Sequence, residues 1–129
     1  MRSKYPLLVS AKDTLGFTHE GRPVVAFRIS DNPGMEEAGE DEWLMTSLHH
    51  SNEVMGMSVV FYYIWHLLEN YDVDPVIRKL LNNSSLFVIP VVNPDGLAFN
   101  ESTNPAGGGT WRKTVSHALL VPQLITVLI

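Results

Sequence analysis

There is no cysteine anywhere in the 129 residues. That excludes disulfides and thiolate metal sites and leaves the compartment open. Positive charge is also scarce: nine Lys and Arg stand against fourteen Asp and Glu, for a net charge of −5. Nucleic-acid surfaces are basic, so no nucleic-acid partner is expected. Long apolar runs are missing too. Met1-Arg2-Ser3-Lys4-Tyr5-Pro6 has no apolar stretch of the kind a secretory signal carries. The most apolar segment, Ala118 to Ile129, is interrupted by Pro122 and is too short to span a bilayer, so no membrane span is expected. There are no internal repeats. Gly107-Gly108-Gly109-Thr110 lacks the spacing and the following helix of a phosphate cradle, and reads as a flexible loop.

What is present suits one globular domain: 45% hydrophobic and 18% charged residues give a modest core. Leu7 to Ser10 and Thr14 to His19 read as extended. Glu20-Gly21-Arg22-Pro23 is a turn, and Val24 to Ser30 is a strand that could pair back as a hairpin. Asp31 to Glu42 is an acidic loop, and Trp43 to His49 the next strand. Val54 to Leu68 is a helix apolar on most faces, hence largely buried, with Tyr62 and Trp65 as core residues and Gly56 as a close-packing position. His66 is expected to be partly exposed. Asp74 and Pro75 form the cap and first position of a short helix, which Asn82 to Ser85 end. Leu86 to Val92 has the continuous apolar pattern of a strand buried on both faces. Strand, helical crossover and strand make parallel neighbours. The turns at His50 and at Asn93-Pro94-Asp95-Gly96 should therefore lie close together.

Two segments carry chemistry. His50-Ser51-Asn52-Glu53 is an H-x-x-E where strand hands over to helix. Imidazole and carboxylate are both zinc ligands, and strand ends are where open α/β sheets place ligands. The same residues also fit a polar helix cap, with Ser51 or Asn52 as N-cap and Glu53 near the helix dipole. Arg112, in Trp111-Arg112-Lys113, is by default a surface charge. In a cleft it could clamp a carboxylate or polarise a carbonyl.

Taken in order, Glu20-Gly21-Arg22-Pro23, His50-Ser51-Asn52-Glu53, Asn93-Pro94-Asp95-Gly96 and Trp111-Arg112-Lys113 resemble the zinc metallocarboxypeptidase family, the relatives of carboxypeptidase A. The likeness covers roughly Tyr5 to Thr114. It implies an α/β fold: a three-layer αβα arrangement with a mixed, mostly parallel sheet, incomplete relative to the family. It implies Zn2+ as cofactor and the C-termini of peptides or proteins as substrates. By position, His50 and Glu53 match the first two zinc ligands, and Arg112 matches the arginine that polarises the scissile carbonyl. Asn52 stands where many members carry arginine and resembles the H-G-N-E subfamily.

The family's third zinc histidine, its carboxylate-binding Asn-Arg pair and its catalytic glutamate come later than Thr114 and have no match in place. Residues 1–114 therefore read as the N-terminal part of a catalytic domain, and 115–129 as a divergent apolar tail that would cover an open face or aggregate. His117 is the candidate replacement ligand, but the family's third histidine lies much further from W-R-K. The expectation is a truncated carboxypeptidase chain that is inactive alone. The alternatives are a catalytically dead fragment with a weak metal site, or an unrelated α/β domain. Family members are often secreted; the localisation of this chain is left open.

Overall fold

The computed structural model describes residues 1–114. The expectations for His117 and for the 115–129 tail lie outside the described residues. β1 (Asp13–Phe17) and β2 (Pro23–Ile29) form the expected antiparallel hairpin. Its turn closes through Gly21, whose φ of 77° is a left-handed conformation that glycine adopts without steric cost. β3 (Asp41–Thr46) pairs in parallel with β4 (Ser84–Ile89), and β2 pairs antiparallel with β4. The sheet order is β1-β2-β4-β3.

Between β3 and β4 run α1 (Val54–Asn70) and α2 (Pro75–Leu81). The crossover is thus as the sequence implied. α2 begins as predicted: the Asp74 carboxylate accepts from the N–H groups of Val76 and Ile77, and Pro75 fills the first turn, where a missing N–H costs nothing.

The core lies on one face of the sheet. Ile29, Leu86 and Val88 meet Val60, Ile64, Leu67 and Leu68 of α1 and Ile77 and Leu81 of α2, with Leu8 and Val9 closing one end. Each such side chain contributes about 1.5–3 kcal/mol relative to exposure.

On the other face, Arg28, Leu44, Phe87 and Ile89 line a cleft of about 460 Å³. Arg28 is buried there. Its guanidinium donates to the carbonyls of Asn32, Pro33 and Met35 and so pins the acidic loop.

The mixed α/β sheet is as expected, but among the described residues two of its three pairings are antiparallel. The described residues also place α1 and α2 against one face only. Among the described residues the parallel pairing is therefore the β3–β4 one.

Other expectations are corrected. α1 buries one stripe, so Tyr62 and Val59 are exposed at 75% and 60%. Trp65 is half-buried, edge-on to Tyr5. A Cβ at Gly56 would sit 3.8 Å from Ser47, an ordinary contact that requires no glycine. Leu7 and Leu8 lie in a turn, and Val9 makes an isolated bridge to Ile29. Ser84 and Ser85 belong to β4 rather than to a helix end.

Candidate active site

β3 and β4 stop pairing as strands at Thr46 and Ile89, but their hydrogen bonding continues. Ser47 N–H donates to Ile89 O, Val92 N–H to Ser47 O, and Asn93 N–H to Leu48 O. The two strand ends therefore leave the sheet side by side. Leu48, buried with φ of 52°, then turns the chain through the left-handed region, a conformation costing a non-glycine residue about 1–3 kcal/mol. The turn brings out His50 and Glu53, whose Nδ1 and Oε1 stand 3.0 Å apart.

Glu53 is the N-cap residue of α1 and makes no side-chain capping bond. Ser51 is fully buried and donates instead to Trp111 O at 2.7 Å. The capping reading of this segment is thereby overturned: the hydroxyl that would cap α1 is bonded to another segment.

Asn93-Pro94-Asp95-Gly96 is more than a turn. It opens α3 (Pro94–Thr103), with Asn93 as N-cap accepting from Gly96 N–H at 3.0 Å. An asparagine followed by proline is the same start signal read correctly at Asp74-Pro75, and it could have found this helix too. Asn100 to Thr103 form its last turn.

Asp95 is 3% exposed and ties α3 to the β1–β2 turn. It accepts from Thr18 Oγ1 at 2.7 Å, Arg22 Nη1 at 2.8 Å and Glu20 N–H at 3.2 Å. Burial pushes its carboxyl pKa up, but the Thr18, Arg22 and Glu20 hydrogen bonds and the Arg22 charge outweigh that and hold it below the ordinary 3.8. Arg22 is raised by its bonds to Glu20 and Asp95.

After α3 the chain returns to the His50 turn. Arg112 Nη2 lies 3.1 Å from His50 Nδ1 and 3.5 Å from Glu53 Oε1, across 62 residues of sequence from the histidine. All three side chains are about half exposed. His50 Nδ1 can donate to Glu53 or accept from Arg112, but not both at once. The structure therefore brings together His50, Glu53 and Arg112, the three residues singled out from sequence.

His50 and Glu53 offer two converging donor atoms of the type zinc takes. Among the described residues no third His, Asp or Glu joins them, and the group of three with converging ligand atoms is Asp31, Glu37 and Glu40 in the acidic loop. His49 is occupied with Thr46, and His66 with Asn70.

Sequence reasoning missed the polar cluster beneath these groups: Ser51, Asn93 and Asn100, all buried. Asn93 Nδ2 donates to Lys113 O at 3.0 Å and Arg112 O at 3.4 Å. Asn100 bonds both main-chain polar groups of Trp111. Asn93 carries the Asn-Pro cap signal, but no pattern flags the bonds that these residues make to main-chain atoms.

A sequence model described as zinc carboxypeptidase matches residues 1–119. Carboxypeptidase D of Homo sapiens is 37% identical over 83 residues, 64% of this chain and 6% of that protein. Carboxypeptidase A1 of Rattus norvegicus is 34% identical over 115 residues, 89% of this chain and 25% of that protein. Among solved structures, carboxypeptidase A from Helicoverpa armigera superposes with a TM-score of 0.71 at 27% identity, over 95% of this chain and 28% of its own. Thrombin activatable fibrinolysis inhibitor shares the fold, with a TM-score of 0.75 at 20% identity over 92% of this chain and 28% of its own. The chain thus spans a quarter or less of the length of these two curated relatives.

Proposed function

This chain belongs to the zinc carboxypeptidase family, and on that premise we propose that it carries part of the active site of a metallocarboxypeptidase, which hydrolyses C-terminal peptide bonds of peptides or proteins. The observation that supports this reading best is the convergence of His50, Glu53 and Arg112 within 3.5 Å from two distant segments. His50 and Glu53 would hold the zinc ion. When bound, that ion supplies Lewis acidity toward a carbonyl and a lowered pKa for water. The Arg112 guanidinium sets fixed positive charge beside the pair, where an oxyanion forming from a peptide carbonyl would be stabilised. The half exposure of all three leaves room for a chain end to approach.

The same geometry favours a second statement. Catalytic zinc sites use three protein ligands and a water, and the described residues bring two ligand side chains together. We infer that this chain on its own turns over no carboxypeptidase substrate above background. Zinc-dependent hydrolysis abolished by Glu53→Ala would overturn that inference.

The primary experiment is metal analysis of the chain and of His50→Ala after dialysis against limiting chelator. Zinc retained by the chain and lost in the variant is the expected outcome. The same zinc content in both, or none in either, would remove the metal reading of His50.

A further inference from the structure

We propose that Asn100 is a positioning residue: its amide fixes the Trp111 main chain to the Ser51 hydroxyl and thereby sets where the Arg112 guanidinium stands relative to His50 and Glu53. The proposal rests on the reading of Arg112 as the carbonyl-polarising group, and deepens it.

Three groups form a closed ring. Asn100 Nδ2 donates to Trp111 O at 2.8 Å and to Ser51 Oγ at 3.2 Å, and Ser51 Oγ donates to the same Trp111 O at 2.7 Å. Trp111 N–H returns a bond to Asn100 Oδ1 at 3.0 Å. Both amide protons and the amide oxygen are used, and the Ser51 hydroxyl both donates and accepts. Only a side-chain amide supplies two donors and an acceptor at this length. Aspartate keeps the acceptor and loses both donors; leucine loses all three.

The amide has little room to shift. A Cβ on Gly109 would stand 2.5 Å from Asn100 Oδ1, so the Gly-rich loop packs its main chain directly on this side chain. Ser51 lies between the two ligand residues, and Arg112 follows Trp111 immediately. The ring therefore links the neighbours of the reacting groups through main chain rather than through the flexible arginine side chain. Displacements of about 1 Å in such a constellation cost about 10²-fold in rate.

The test uses the whole 129-residue chain with Asn100→Leu and Asn100→Asp. The readout is NMR cross-relaxation between the Arg112 Hε proton and the His50 ring, with amide shifts of the β3–β4 ladder and α1 as the control for folding. Positioning predicts a cross-peak in the wild type that weakens or is lost in both variants, while the ladder shifts stay in place. A purely structural role would lower the thermal midpoint of both variants and leave the cross-peak unchanged. That result, or no cross-peak in the wild type, overturns the proposal. Should Asn100→Leu fail to fold, Asn100→Asp decides alone, since it keeps the shape and the bond from Trp111 N–H. Zinc titration of the same samples separates the two readings: a wild type that binds no zinc but shows the contact counts against the metal site and not against Asn100.

Discussion

Replacing Asp95 with alanine would cut the β1–β2 turn loose from α3. The side chain is 5% exposed and its carboxylate accepts three hydrogen bonds, from the Thr18 hydroxyl, the Glu20 N–H and the Arg22 guanidinium. Bonds to a charged group contribute about 1.5–3 kcal/mol each when buried. The Arg22 bond deserves a steep discount, because that side chain is 39% exposed and rehydrates when its partner goes. Thr18 also keeps its bond from Arg22 N–H. Most of the cost then comes from the Thr18 and Glu20 donors, and the sum is about 3 kcal/mol. Urea unfolding of the wild type and Asp95→Ala measures it directly.

The pH dependence has a definite sign. The folded pKa of Asp95 lies below the unfolded 3.8, so the unfolded chain binds the proton first. The contribution of Asp95 is complete above about pH 4 and disappears as pH falls through the lower folded pKa. The stability gap between the wild type and Asp95→Asn should therefore be flat at neutral pH and narrow only in acid. A loss under about 1 kcal/mol for Asp95→Ala, or a gap that closes between pH 5 and 7, would refute this account of the network.

Two smaller changes test neighbouring features. Gly96→Ala places a Cβ 2.5 Å from Ser51 Oγ and 2.7 Å from Asn93 Nδ2. Overpacking of that kind costs about 1–3 kcal/mol, and the expected result is a lower urea midpoint together with faster hydrogen exchange at Trp111 N–H. Asp74→Ala removes the cap of α2 and should cost about 0.5–2 kcal/mol, with increased exchange confined to the first turn of that helix.

The features legible in the sequence were those set by local pattern. The hairpin followed from a Gly-Arg-Pro turn between apolar runs, the crossover from two apolar strands flanking a helix, and the α2 start from Asp74-Pro75. α3 was hidden because its one face is not clearly apolar; its buried positions are Asp95, Gly96 and Asn100, which hydrophobic periodicity does not report. The solvent-facing stripe of α1 was misread for a different reason. Val59 and Tyr62 are apolar, and composition alone does not distinguish a core face from a face with nothing packed on it among the described residues. His50, Glu53 and Arg112 were found through an ordered set of motifs. Asn100 was not, because its bonds to the Trp111 main chain leave no partner side chain to recognise.

That last feature bears on how the chain can change over generations. Ser51, Asn93 and Asn100 grip carbonyl and amide groups of residues 111–113, and those groups are the same whatever side chain is attached. Drift at Lys113 leaves the grip itself intact, whereas Trp111 adds to it through its indole N–H on Lys113 O and its ring against Phe99. Exchanges at the three gripping residues, each small and chemically modest, move the whole segment. The tolerance to variation is thus not set by side-chain size: the long, exposed lysine is the more replaceable residue and the small, buried serine the less.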